Sequence, residues 1–472
     1  MRRSTKGLSG VVALALLLGA CGGGDDGGGG GGGGGGGNGA SDLPECPLDA
    51  LEAATGPVEI TFWHAMTRAN EETLIRLTDA FNESQDQVVV KLVNQTSYDD
   101  VFTKYKAGLA SGELPDLLQG EDTALQSMID SQGVLPAQSC VEADDYDLSD
   151  HVERVVDYYT VEDVLWPMPF NVSNPVLYYN KQAFEEAGLD PDDPPSSLDE
   201  VREASEALTA AGASRAGYSV KLDPWYLEQW LSKAGEPYVN NDNGRSARAT
   251  EVAFDNDTGV EIFTWLQEMV DDGLALNTGR PEGNVDNLLA IGNENAAMTI
   301  DSSAGLGTIS QVLGSGQFPN VTLGVAPMPG PVGEGGVLVG GAALYILRRS
   351  SPAEQAAAWE YAKYLNEAEQ QAEWAAGTGY VPIRTSAVGM PVLDAVWEAE
   401  PGYRVAYEQL VTGVENVATA GPVIGAYKEV RAVIIDTMQK MLTGGTDPAA
   451  ALRDAATKAN AAMREYNERV GA

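Results

Sequence analysis

The residues that could do chemistry in this chain are few, and most fall where the chain turns. An apolar run, Ala297-Met298-Thr299-Ile300, stops at Asp301-Ser302-Ser303-Ala304-Gly305 before an expected helix start. Backbone N–H groups and a serine hydroxyl at such a place form a natural anion site. A plain serine N-cap explains the same pattern equally well. Arg431 flanks the apolar face Val430, Val433, Ile434, Met438 and Met441 of another expected helix, so its guanidinium can reach inward along the flank. An arginine judged on that alone is more often solvated. The rings of Trp63, Tyr98, Trp225, Tyr226 and Tyr380 lie near expected strand ends or loops. Each alone reads as core or rim, but with small residues among them they suit a polar small ligand.

Catalysis has little to build on. His64 and His151 are the only histidines, and no G-x-S-x-G, H-E-x-x-H or G-x-x-x-x-G-K-[ST] occurs. With 69 acidic residues, chance carboxylate pairs are unavoidable and mark no acid–base site. Cysteine and histidine spacings do not fit zinc. We expect no enzyme, no metal and no cofactor.

The elements that must position these residues alternate. Val58, Ile60 and Phe62 read as a strand, Leu74, Leu77 and Phe81 as a helix face, and Val88 to Val93 as a second strand. A helix from Tyr98 to Leu109, a strand from Leu114 to Gln119 and a helix from Thr123 to Gln132 follow. This order predicts a parallel sheet with helices on its faces and ligand groups at the strand ends. The run Met168-Pro169-Phe170-Asn171-Val172-Ser173-Asn174-Pro175-Val176-Leu177-Tyr178-Tyr179 reads as a turn carrying a hydroxyl, then a strand crossing into a second lobe. Capping boxes start helices at Ser197 and Ser351. Further strands are expected at Tyr218–Val220, Ala296–Ile300, Val321–Ala326 and Val337–Leu347, and helices at Ile424–Leu442 and Pro448–Tyr466.

The first residues read differently. Arg2, Arg3 and Lys6 precede an apolar run from Val11 to Leu18 that is too short to span a bilayer, the pattern of a secretion signal over residues 1–20. Leu18-Gly19-Ala20-Cys21 resembles the bacterial lipobox, which implies cleavage before Cys21 and lipid on its new N-terminus. Eleven glycines, Gly27 to Gly37, then read as a tether within 21–56. About 20 such residues span roughly 25 Å, enough to hold a body off a membrane. With Cys21 lipidated, Cys46 and Cys140 remain, and two leftover cysteines in an oxidising compartment suggest a disulfide. Loss of residues 1–20, with their three cations, takes the formal charge from −40 to −43. That charge disfavours nucleic acid as a partner, and an anionic ligand needs a local cation.

Trp63-His64-Ala65-Met66-Thr67, the run from Pro169 to Lys181, Ala187-Gly188-Leu189-Asp190-Pro191, Gly340-Gly341-Ala342 and Thr378-Gly379-Tyr380-Val381-Pro382 resemble the family 1 extracellular solute-binding proteins of ABC importers. The similarity covers roughly Val58 to Tyr466. It implies an α/β, two-lobed periplasmic-binding-protein fold of type II, each lobe a sheet flanked by helices, with ligand in the inter-lobe cleft. Lobe 1 would take 57–173 and 342–384, and lobe 2 would take 174–341 and 385–472. The likeness runs to members that bind glycerol 3-phosphate and glycerophosphodiesters such as glycerophosphocholine. Carried over, Tyr98 and Asp122 would hold glycerol hydroxyls, Ser173 would hydrogen-bond the ligand and Trp225 would wall the glycerol carbons. Ser302, Gly341, Tyr380 and Arg431 would surround the phosphate, with Arg431 as its charge partner. Leu222 stands where those members have an aromatic ring, which would open the pocket to a bulkier phosphodiester. The resemblance also implies a monomer, lipid-anchored outside the cell membrane, that docks on permease subunits. A mono- or disaccharide is the rival ligand, since much of the family binds sugars.

Overall fold

Ile60, Phe62 and His64 point into the core from alternate positions of β1 (Val58–His64), so one face of this strand is buried. The computed structural model describes residues 43–280, 285–331, 333 and 335–472. The leader, Cys21 and the glycine tract lie outside the described residues. After β1 the helix Arg68–Ser84 buries Leu74, Leu77 and Phe81. Then come β2 (Val88–Asn94), the helix Tyr98–Ser111, β3 (Leu117–Glu121) and the short β4 (Val134–Leu135). A small hairpin, β5 (Thr160–Val161) and β6 (Val164–Leu165), leads to β7 (Met168–Ser173).

Across Asn174 the chain enters a second sheet. Its strands are β8 (Pro175–Asn180), β9 (Ala216–Val220), β10 (Ala275–Asn277), β11 (Ala296–Ser302) and β12 (Leu323–Pro327), in the order β10-β9-β11-β8-β12. β13 (Gly340–Leu347) returns to the first sheet, ordered β2-β1-β3-β13-β4 with β7 also paired to β13. The helix Pro352–Leu365 covers β1 and β13, and the helix Gly402–Val411 covers β12 and β8. The last two helices, Tyr427–Gly444 and Pro448–Val470, pack on each other and on Asp257–Asp271.

Three expectations need correction. The sheets are mixed: β1 is parallel to β2 and β3, but β13 runs antiparallel to β3 and β8 runs antiparallel to β11. Both odd strands enter from the other sheet and not through a local strand–helix–strand crossover, which frees their direction. Met168–Ser173 is a strand, not a turn. Its pairing with β13 shifts register between Ala342 and Ala343, opposite Asn171 and Pro169, and that irregularity accommodates a residue with no N–H to give. The packed body also starts earlier than residue 57. Cys46 and Leu51 are buried, and the helical turn Asp49–Glu52 lies against Pro352–Leu365.

Cys46 is disulfide-bonded to Cys140 with the Cα atoms 4.9 Å apart, which ties this opening segment to the first sheet's layer of helices. Among the described residues no helix is long and apolar enough to cross a membrane. The bridge joins positions 94 residues apart, and closing a loop of that size in the unfolded chain stabilises the fold by about 4.7 kcal/mol in the chain-entropy model. The double variant Cys46→Ser/Cys140→Ser should therefore unfold at clearly lower urea concentration than the parent, with a steeper slope because its unfolded chain is more expanded. Coincident unfolding curves would contradict this.

Candidate functional site

The carboxyl ends of β3, β7 and β11, the start of β13 and the starts of three helices face a cavity of about 690 Å³. Strand ends expose backbone and turn residues that no further strand covers, which is why ligands collect there in α/β folds. Eight of the nine ligand residues expected from sequence line this cavity: Tyr98, Asp122, Ser173, Trp225, Ser302, Gly341, Tyr380 and Arg431. Leu222 does not line it. Its side chain is 2% exposed within the core, and its N–H binds the Gly279 carbonyl, so it turns away from the cleft just after β9. Of the other rings singled out, Trp63 and Tyr226 also stay off the cavity wall, and Tyr226 Oη donates to the Ile300 carbonyl (2.8 Å) from within the core.

A buried relay fixes the hydroxyl side of the cleft. The Ala65 N–H donates to Gln119 Oε1 (2.9 Å), Gln119 Nε2 to Asn171 Oδ1 (2.8 Å) and Asn171 Nδ2 to Tyr98 Oη (2.9 Å). Tyr98 Oη then meets Tyr380 Oη at 3.2 Å. Because Asn171 gives its N–H to Tyr98, the phenol keeps its own proton to offer elsewhere. Tyr380 is stacked on Trp374, ring centroids 5.4 Å apart, which holds it flat against this relay.

Two glycines are required by close approach. Gly341 has φ +97°, and a Cβ there would meet the Asn171 carbonyl oxygen at 2.1 Å. A Cβ on Gly340 would meet the Trp225 ring at 3.0 Å, so this glycine seats the indole over the start of β13. Ser302 caps the short turn Ser303–Gly305 by accepting from the Ala304 N–H (3.2 Å). The serine N-cap is thus present, and Ser302 lines the cavity as well.

The charged wall differs most from expectation. Arg431 is not a free cation. Its Nε and Nη2 donate to both oxygens of Glu228 (2.9 and 2.6 Å), and Nη1 donates to Glu121 Oε1 (3.2 Å). The guanidinium also lies over the Tyr427 ring, 5.2 Å from its centroid. Lys428 donates to Asp99 (2.7 Å) and to the other oxygen of Glu121. On the opposite side Lys221 pairs with Asp301 (3.0 Å). Burial disfavours the Arg431 cation, but Glu228 and Glu121 outweigh it and keep the group charged. Burial would likewise raise Glu121, yet Lys428 and Arg431 hold it down to about 2. Asp122 is pushed up to about 7 by burial and by the Glu121 and Glu228 carboxylates, against the pull of Arg431 and Lys428. Near neutral pH it can therefore act as either hydrogen-bond donor or acceptor; Tyr158 Oη donates to it at 3.2 Å.

Sequence reasoning missed Glu121, Glu228, Lys221 and Lys428. Glu121 directly precedes Asp122, and Lys428 is one helical turn before Arg431, so both were within reach of the residues already singled out. Glu228 is likewise one helical turn after Trp225, but nothing in sequence pointed to its pairing with Arg431.

A polar cleft between two sheet-and-helix lobes, at the strand ends, defines a two-lobed ligand-binding protein. The sequence pattern of the bacterial extracellular solute-binding proteins matches residues 76–404, and the chain belongs to that family. It is 28% identical over 424 residues to the sn-glycerol-3-phosphate-binding periplasmic protein UgpB of Yersinia pseudotuberculosis, covering 88% of this chain and 94% of that protein. Among solved structures it resembles UgpB from Mycobacterium tuberculosis in complex with glycerophosphocholine, with TM-score 0.72, 21% identity and coverage of 87% of this chain and 99% of that one. The GacH receptor of Streptomyces glaucescens, solved unliganded and with acarbose, is similar in fold at TM-score 0.72 and 21% identity, covering 86% of this chain and 99% of that one.

Removing Arg431 alone leaves the 2%-exposed Glu228 as a buried, uncompensated charge. Arg431→Ala should therefore cost about 3–5 kcal/mol of stability. The double variant Glu228→Gln/Arg431→Met, which removes both charges, should recover most of that in a denaturant titration. Equal stability of the single and double variants would show that the pair does not form.

Proposed function

We propose that this chain is the capture subunit of an ABC importer that takes up glycerol 3-phosphate or a glycerophosphodiester of the glycerophosphocholine type. The observation that carries this reading is the Arg431 guanidinium on the wall of a cavity that also presents hydroxyls from Ser173, Ser302, Tyr98 and Tyr380. Three of the five N–H groups of Arg431 are used within the protein, so two remain for phosphate oxygens. Trp225 supplies an apolar face for the glycerol carbons, and Asp122 with Tyr98 supplies polar partners for its hydroxyls. The glycerol-3-phosphate-binding relatives support the same ligand class. Because Leu222 is a core residue, room for a group beyond the phosphate rests on the size of the cavity and not on that position.

Capture proceeds by closure of lobe 1 (57–173 and 342–384) on lobe 2 (174–341 and 385–472), hinged at Ser173–Val176 and Gly341–Ala343. The change of sheet across Asn174 and again between β12 and β13 supports these boundaries. The closed monomer then hands its ligand to permease subunits. Cys21 is the lipid anchor, with the glycine tract as tether. The second reading is a mono- or disaccharide, favoured by three rings on the cavity wall and by the acarbose complex of the GacH receptor.

Titration calorimetry of residues 43–472 with glycerol 3-phosphate, glycerophosphocholine and maltose decides between them. We expect heat from at least one ester and none from maltose; binding of maltose alone would overturn the assignment. For the anchor, Cys21→Ser should move the protein from the membrane fraction to the soluble fraction of cells. Retention of that variant on membranes would rule out lipid at Cys21.

A further inference from the structure

The cavity carries its own carboxylates against its own cations. On one wall Arg431 and Lys428 meet Glu228, Glu121 and Asp99. On the other, Lys221 meets Asp301 and Asp223, and Arg280 reaches Asp436 on the helix that carries Arg431 (2.8 Å). Glu121 holds the central place. It ends β3 in the first lobe, with its side chain 18% exposed, and its two oxygens reach two cations of the helix Tyr427–Gly444. Thr123 Oγ1 fixes the carboxylate by donating to it at 2.8 Å.

A phosphate brought to Arg431 is therefore set beside a carboxylate already bound to the same guanidinium. One added negative charge must share Arg431 with Glu121 and Glu228; a second meets the same carboxylates with, among the described residues, no further unshared cation on that wall. Repulsion of this kind is felt strongly because the groups are close and largely withdrawn from water. Glu228 sits behind Arg431 in the core, whereas Glu121 faces the cavity, so Glu121 is the group whose charge the ligand meets.

We propose that Glu121 is a specificity-determining residue that selects by charge, admitting singly charged or zwitterionic phosphodiesters and disfavouring dianionic phosphomonoesters and free phosphate. This deepens the phosphate-ester reading above and rests on it. Glu121 needs no direct contact with the ligand's carbon skeleton. It acts by setting how much negative charge the cationic pole will accept, and by occupying one N–H of Arg431 that a dianion would otherwise recruit.

The test is calorimetry of wild type, Glu121→Gln and Glu121→Asp with glycerophosphocholine, glycerol 3-phosphate and inorganic phosphate at pH 8, where the monoester carries close to two charges. Wild type should favour the diester. Glu121→Gln should improve glycerol 3-phosphate affinity at least tenfold relative to glycerophosphocholine, and Glu121→Asp, which keeps the charge, should stay near the wild-type ratio. Thermal melts of the three proteins show that each is folded. If the esters bind but the Gln variant leaves their affinity ratio unchanged, charge selection by Glu121 is wrong while the ligand class stands. If wild type binds neither ester, both fall.

Discussion

The Arg431 guanidinium is held on one side by both oxygens of Glu228 and reached on the other by Glu121 at the end of β3. A buried cation of this kind is tolerated only with partners in good geometry, so the helix Tyr427–Gly444 must lie where Arg431 meets the helix Trp225–Ala234 and the end of β3 at once. Lys428, one turn earlier on the same helix, adds a second tie to Glu121 and one to Asp99. The position of this helix therefore shapes one wall of the cavity. Both cations of this wall, Arg431 and Lys428, are thus already paired with carboxylates.

That pairing also fits the electrostatics of the whole chain. A formal charge of −40 repels anions at long range, but screening in salt limits that field to about 8–10 Å. Within the cleft, Arg431, Lys428 and Lys221 supply the local attraction, each moderated by carboxylates. A protein built this way is suited to ligands with little net charge, and the hydroxyl relay through Gln119, Asn171, Tyr98 and Tyr380 gives such a ligand neutral partners.

Much of the fold was legible because periodicity is local. The helix Leu198–Ala211 and the helix Pro352–Leu365 begin at the capping boxes that Ser197 and Ser351 announce, and β1, β2 and β8 follow their apolar runs. β7 was not legible, since Pro169 and Asn171 argue for a turn and only the long-range pairing with β13 makes the segment a strand. The same limit applies to the site. Gly341 and Tyr380 stand in recognisable motifs, but the partners of Arg431 lie 203 and 310 residues away in sequence, and nothing in local pattern links them. Leu222 is off the cavity for a related reason: its place opposite an aromatic residue of the resembling members says nothing about which way its side chain turns in this chain.

The central claim is that a phosphate ester sits beside Arg431 in the cleft. A crystal structure of the soluble body with glycerophosphocholine tests it most directly. The account predicts phosphate oxygens within hydrogen-bond distance of Arg431 and of Ser302 or Tyr380, with the glycerol against Trp225. Phosphate bound away from Arg431, or a cleft that stays empty at saturating ligand, would contradict it.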